Sequence, residues 1–319
     1  MRSFFKSPTG DRPLTALILL LCGTFVLAMQ DSFIKDISVQ TSYWQFQALR
    51  AAGNMSIAIT LAIVGGGLYL LKPLRAGAVY FRAALMTICM LCFFGAAPYL
   101  TLTQMAAGLY TYPLFVSILA GPVLGEKVGA WRLGALVLGI IGAALVLSPW
   151  QDNFSLLQCL PIAAGFFYAL NILVIRRACR FENTLAMVFS VAVAFFFSGT
   201  LGITVLSIFP FPETVQQAAP FVAIGWPVVA WIVVGTAAVT SMLNFLGNMC
   251  LSRAYQTADS SWLVPLDFSY LLFAAFWGQV MFDTWPTRNA LIGMVFIAAA
   301  GVTTGWRESV QRKRSNRMR

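Results

Sequence analysis

Apolar and polar positions along this chain segregate into long blocks. Stretches of roughly twenty apolar residues, the length that crosses a hydrocarbon core, fall at about 14–36, 43–64, 80–97, 102–124, 131–149, 156–176, 184–208, 225–250, 257–281 and 288–306. Polar residues gather in the short connections between them. The pattern predicts an all-α polytopic membrane protein with ten transmembrane helices, arranged as the same five-helix unit written twice. Five is odd, so two such units in one bilayer lie upside down relative to each other. Inverted repeats of that kind are an architecture of secondary carriers, with binding near the bilayer midplane. The units predicted are residues 1–150 and 151–306, followed by a basic tail at 307–319.

Local matches support the duplication. Ala28–Lys35 and Ala169–Arg176 each set a basic residue seven positions after an alanine, with Gln30 and Asp31 between in one copy and Asn171 in the other. Toward the end of each copy an acid precedes a glycine-spaced helix: Glu126 before Gly134 and Gly142, Asp283 before Gly293 and Gly301. The eight-residue spacing keeps each glycine pair near one helix face, where a neighbouring backbone can approach.

Composition narrows the class further. Of 319 residues, 59% are hydrophobic and 10% charged, against roughly 25% charged in soluble chains. Short loops and tails take up what the spans leave, so no soluble catalytic domain is expected. The net charge of +10 does not indicate a nucleic-acid partner, because 18 of the 21 Lys and Arg lie in the two tails and the even-numbered loops. By the positive-inside rule, both termini are cytoplasmic. The N-terminal basic residues and following apolar run lack a small-residue cleavage site, and the run contains Asp31 and Lys35; a retained first helix is predicted. Cys89 and Cys92 form a CxxC, but the chain has no histidine, and small packing residues are the expected role of the cysteines. No metal site or cofactor is predicted.

The segment Pro113-Leu-Phe-Val-Ser-Ile-Leu-Ala-Gly-Pro-Val-Leu-Gly-Glu126, with the Gly134/Gly142 helix after it, resembles the EamA repeat of the drug/metabolite transporter superfamily. Pro265-Leu-Asp-Phe-Ser-Tyr-Leu-Leu-Phe-Ala-Ala-Phe-Trp-Gly278 resembles its second copy in bacterial carriers. One departure is Phe282-Asp283, where the family ends this segment in Gly-Glu. The resemblance covers about 14–306. It implies ten helices in two inverted halves, cytoplasmic termini in a bacterial inner membrane, and transport of a small organic solute by alternating access.

Candidate site residues are polar groups within spans. Asp267 in the ninth span either anchors a cationic part of a substrate, carries a proton coupled to transport, or is a fixed carboxylate tied to Ser269, Arg50 or a neighbouring helix. Asp31 and Lys35 share a helix face and can pair with each other; with Arg50 they form either an outer gate that binds an anionic group or an interfacial ion-pair cluster. Asn244 and Asn248 face one direction, as do Tyr168 and Asn171. With Gln30, Gln45 and Gln104 they can contact substrate heteroatoms or join helix to helix. Trp262 and Tyr270, like Tyr168, can stack on a flat or cationic substrate. Pro113 and Pro265 interrupt corresponding helices and are candidate hinges.

The function expected is secondary transport of a small polar, nitrogen-containing metabolite, coupled to protons through Asp267 or Asp31 or driven by exchange, by a monomer or homodimer. The alternatives are an intramembrane lipid-modifying enzyme, disfavoured by the absence of histidine and the scattered carboxylates, and a non-transporting receptor. Two substrate chemistries remain open: a cationic or zwitterionic amine held by Asp267 and aromatic faces, and a carboxylated or flat heterocyclic metabolite held by Arg50 and amides.

Overall fold

A computed structural model describes residues 13–124, 130–150, 155–179, 181–257, 263 and 266–317. The described residues form helices joined by turns and short irregular connections, with no strand among them. Apolar surroundings offer no hydrogen-bond partner to the backbone, so each apolar block satisfies its own N–H and C=O groups as a helix. The helices are α1 (Pro13–Ile37), α2 (Tyr43–Gly65), α3 (Ala76–Gly95), α4 (Leu102–Leu109), α5 (Tyr112–Leu124), α6 (Ala130–Leu147), α7 (Leu160–Ala178), α8 (Thr184–Ile208), the short α9 (Glu213–Ala218) and α10 (Pro220–Ala223), α11 (Trp231–Thr257), α12 (Ser269–Phe282) and α13 (Arg288–Arg317). Among the described residues, seven segments are long and apolar enough to cross a membrane, α4 and α5 counting together; three shorter apolar helices are Gly134–Leu147, Ser269–Phe282 and Arg288–Thr303. The last helix does not stop at the expected boundary near 306. Its backbone stays helical to Arg317.

The principal packing pairs are α1 with α11 and α12, α7 with α3 and the α4–α5 segment, α2 with α8 and α11, α3 with α8, α4 with α12, and α6 with α13. Exchanging α1 with α7, α2 with α8, α3 with α11, α4–α5 with α12, and α6 with α13 leaves this set unchanged. Where α6 meets α13 the backbones touch: a Cβ on Gly142 would fall 2.7 Å from the Gly293 carbonyl oxygen, and one on Gly293 would fall 2.5 Å from the Gly142 oxygen. The two glycines singled out by their spacing therefore serve one contact. Their partners differ, since Gly301 abuts the ring of Phe268 while nothing lies within 4 Å of a Cβ on Gly134.

The fourth span is broken. Pro113 has no N–H to give the Leu109 carbonyl, and its ring crowds that oxygen. The helix stops at Leu109 and restarts at Tyr112. α7 closes on the break through glycine: a Cβ on Gly165 would meet the Leu109 carbonyl oxygen at 2.9 Å and Thr111 Oγ1 at 2.8 Å. A matching irregularity precedes α12, where the Leu271 N–H bonds the Phe268 carbonyl at 3.0 Å. Pro265, the expected counterpart of Pro113, and Glu126 lie outside the described residues.

The glycine contact is testable by contrast. Gly142→Leu overfills a backbone contact and should cost about 1–3 kcal/mol or more, whereas Gly134→Leu should stay within about 0.5 kcal/mol. Thermal unfolding of the two purified variants in detergent measures the difference; equal melting temperatures would contradict the packing described.

Candidate substrate site

α1 carries Gln30 and Asp31 into its contact with α12. Gln30 Nε2 donates to Asp31 Oδ1 at 2.8 Å, and Tyr270 Oη from α12 donates to Oδ2. A carboxylate away from water needs such donors, because its desolvation otherwise costs several kcal/mol. Lys35 does not pair with Asp31 as its spacing suggested. Its ammonium donates to the Ala97 and Leu100 carbonyls, at 2.6 Å each, and sits 5.2 Å from the centre of the Phe282 ring. Those carbonyls lie in the turn between α3 and α4, outside either helix, and suit a cation.

On α2, residues 43, 47 and 50 recur at intervals of four and three and so share one face. Tyr43, Gln47 and Arg50 are exposed by 2%, 1% and 3%. α11 packs against both α1 and α2, and its Ser241 Oγ donates to the Arg50 carbonyl at 2.9 Å. The Arg50 guanidinium lies over the Phe94 ring, 5.8 Å from its centre, and within electrostatic reach of Asp31. Several polar atoms of this set are buried without a hydrogen-bond partner in the protein: Arg50 Nε and Nη1, Gln47 Nε2, Tyr43 Oη and Gln30 Oε1. Each unmet group costs about 1–3 kcal/mol, more when charged. Orphans are rare in folded proteins, and this concentration marks the place where a polar ligand has most to offer.

Aromatic rings continue the set across the bundle. Tyr270 stacks on Tyr110 with ring centres 5.1 Å apart and planes 12° from parallel, Tyr110 meets Tyr112, and Tyr112 meets the edge of Tyr168 at 4.9 Å. The helix break puts Tyr110 and Tyr112 on this path. Tyr110 Oη donates to the Asp267 carbonyl at 3.2 Å, a group left over by the irregular start of α12. The half-buried Asp267 carboxylate has Tyr112 Oη at 3.5 Å. Its neighbour Ser269 bonds Thr24 Oγ1 at 3.1 Å instead of Asp267.

The structure thus brings Gln30, Asp31, Arg50 and Tyr270 together, and joins Tyr168 and Asp267 to them through tyrosines. Asn171 is buried with Oδ1 unpartnered, beside no other member of the set by hydrogen bond. Asn244 is half-buried, and the exposed Asn248 returns its amide to the Asn244 carbonyl at 2.8 Å. Pro113 lies at the helix break; Trp262, like Pro265, falls outside the described residues. Gln104 closes a capping box with Thr101 on α4, and Gln45 bonds the Pro227 carbonyl at 2.8 Å, so both serve the scaffold. Sequence reasoning passed over Gln47, Tyr43 and Tyr112. The four-and-three spacing of Tyr43 and Gln47 with Arg50 was the available signal. Among the described residues, His, Cys, Asp and Glu form no group of three or more placed to hold a metal ion.

One end of the bundle is covered by the chain between α8 and α11. Trp44 Nε1 donates to the Val222 carbonyl, Ser42 Oγ to Gly225 and Gln45 Nε2 to Pro227, each at 2.8 Å; Tyr99 Oη donates to Ala218 at 2.7 Å. Beneath these bonds Phe221 is buried against the edge of Tyr43, ring centres 6.0 Å apart. At the opposite end Glu182 accepts from the Leu74 and Arg75 amides at 2.8 and 2.6 Å, joining the α2–α3 and α7–α8 connections.

No protein-family model matches the chain. A riboflavin transporter of Vibrio cholerae is 28% identical over 214 residues, 67% of this chain and 66% of that protein, so the match spans just under two thirds of that relative. A riboflavin transporter of Brucella anthropi is 26% identical, covering 83% of this chain and 87% of its own. A pseudopaline exporter of Pseudomonas aeruginosa is 21% identical over 90% of this chain and 94% of its own. A solved crystal structure superposes with a TM-score of 0.58 at 14% identity, over 92% of this chain and 96% of that one, and shares the fold. These relatives are transporters and not enzymes. With its apolar helices, the chain is a multi-pass membrane transporter for small metabolites.

Removing the Tyr270 hydroxyl tests the buried carboxylate. Tyr270→Phe leaves Asp31 Oδ2 without its donor and should cost about 1.5–3 kcal/mol in unfolding free energy. Tyr110→Phe, which loses a longer bond to a carbonyl, should cost about 1 kcal/mol or less. Denaturant unfolding in detergent compares them, and a larger loss for Tyr110→Phe would contradict the arrangement.

Proposed function

We propose that the chain is a secondary active carrier, moving a small polar nitrogen-containing metabolite across a bacterial inner membrane by alternating access. All ten apolar segments span in this reading, residues 1–150 and 151–306 form inverted EamA-type halves, and the 307–319 tail is cytoplasmic. The observation that carries it is the exchange symmetry of the packing pairs, together with the orphaned polar set beside α1 and α2. A bundle whose contacts survive exchange of its halves has two nearly equivalent ways to open, one to each side, which is what alternating access needs. Solute then moves through differential affinity for, and passage between, the two states.

The covered end, pinned by Ser42, Trp44, Gln45 and Tyr99, joins connections poor in Lys and Arg, whereas Glu182 ties two basic connections at the other. By the positive-inside rule the covered end faces outward. Tyr43 lies directly under Phe221 and on one helix face with Arg50, so this cover stands between the outside and the polar set. Of the two substrate chemistries the sequence leaves open, the site favours the flat heterocycle: its unmet groups are mainly donors of Arg50 and Gln47, its borders are aromatic, and relatives are named riboflavin transporters. Asp31 and Asp267 are the membrane carboxylates available for proton coupling, and solute exchange is the alternative energy source.

Two experiments test this reading. Purified protein in liposomes preloaded with riboflavin should take up labelled riboflavin by counterflow, and Arg50→Ala should reduce initial uptake by about tenfold or more, equivalent to roughly 1.4 kcal/mol. Absence of exchange for riboflavin and for other flat nitrogen heterocycles would reject the assignment. For the cover, Phe221→Ala removes packing worth about 3–5 kcal/mol. In a variant retaining as its single cysteine Cys89, which is buried in one apolar cluster with Phe221 and Tyr43, this change should speed labelling by an impermeant maleimide from outside more than about tenfold. An unchanged rate would exclude Phe221 as a gate.

A further inference from the structure

The orphaned groups beside Asp31 differ in kind from one helix to the other. On α2 they are donors, Arg50 Nε and Nη1 and Gln47 Nε2; on α1 the orphan is an acceptor, Gln30 Oε1. Gln30 keeps that oxygen free because its Nε2 is committed to Asp31 Oδ1 at 2.8 Å. Tyr43 Oη can serve either way. Charge, in contrast, is closed within the protein. The set holds one guanidinium, Arg50 on α2, and one carboxylate, Asp31 on α1, the latter already bonded by Gln30 and Tyr270, so a carboxylate or phosphate entering here would add a net negative charge. A cation would be opposed by the guanidinium.

We infer that this site reads an acceptor–donor–acceptor edge on a neutral planar heterocycle, two carbonyls flanking a ring N–H as in a cyclic imide or pyrimidinedione. The carbonyls accept from Arg50 and Gln47, and the N–H donates to Gln30 Oε1. Phe94 beneath the guanidinium, Tyr43 on the same helix face and Tyr270 on Asp31 border these groups with apolar rings, which suits a flat ligand. The inference rests on the carrier reading above and narrows its substrate from flat heterocycles in general to those bearing this edge. Gln30, Gln47 and Arg50 become its specificity residues.

Riboflavin bears such an edge, and 3-methylriboflavin is the matched probe in which methyl replaces the N–H. Equilibrium quenching of flavin fluorescence by the purified full-length protein should show the methyl compound binding at least about tenfold more weakly, since a site built to bond an N–H rejects the analogue lacking it. Gln30→Leu should shrink that gap to below about threefold, while Gln47→Leu should weaken both ligands and leave the gap in place. Equal binding of the two flavins by the unmodified protein would overturn the edge assignment without any variant, as would a gap undiminished in Gln30→Leu. Counterflow separates the two levels of the reading. If riboflavin exchanges but N3 methylation makes no difference, only the edge assignment falls; if neither riboflavin nor other flat nitrogen heterocycles bind or exchange, the flat-metabolite reading falls with it.

Discussion

An unpaired polar group inside a bilayer has no water to fall back on, and this constraint organises the molecule. It makes every apolar block a helix, and it makes every interruption of a helix a debt for neighbouring side chains to meet. Lys35 meets the carbonyls between α3 and α4. Tyr110 meets the Asp267 carbonyl, and Ser42, Trp44 and Gln45 hold the carbonyls of the 222–227 stretch. Not every buried group is met: Arg82, Gln158, Asn171 and Trp277 each keep one polar atom without a partner, and Gln30 on α1 with Tyr43, Gln47 and Arg50 on α2 supply the remaining orphaned donors and acceptors.

The two irregular segments link fold to site. Breaking the fourth span at Tyr110–Thr111 turns two tyrosines toward Asp267 and Tyr270, and the irregular start of α12 leaves the carbonyl that Tyr110 takes up. An unbroken helix would set Tyr110 and Tyr112 about 200° apart around its axis. Here the rings instead meet, 5.9 Å apart, and continue to Tyr168 and Tyr270. Glycine makes the close approaches possible on which this depends, Gly165 at the break and the Gly142–Gly293 contact at the far side of the bundle.

Asp31 shows why a membrane carboxylate cannot be interpreted from helical spacing. Lys35 is one turn away and of opposite charge, yet a lysine on a long stem finds unsatisfied carbonyls at the helix ends, and the carboxylate takes a phenol and an amide instead. Each group goes to the partner that most lowers its burial cost, not to the nearest in sequence. Asp267, which looked the sharper signal because it stands in an apolar run, is half-buried with Tyr112 at its edge. The costlier arrangement belongs to Arg50, an arginine with open donors at 3% exposure.

The sequence by itself determined the helical class, the approximate bounds of its apolar segments and the glycines of the α6–α13 contact, because hydropathy and small-residue spacing act locally along one helix. It also supplied Arg50, Gln30, Asp31 and Tyr270 as candidates, since charged and polar groups in apolar runs are conspicuous. Which of them meet depended on helices distant in sequence: α12 bringing Tyr270 to Asp31, and α11 packing on both α1 and α2. The scaffold roles of Gln45, Gln104 and Lys35, and the orphaned atoms of Gln47 and Tyr43, were likewise decided only in three dimensions. A hydrogen bond is made or left unmade between partners hundreds of residues apart, and composition along the chain carries no record of that choice.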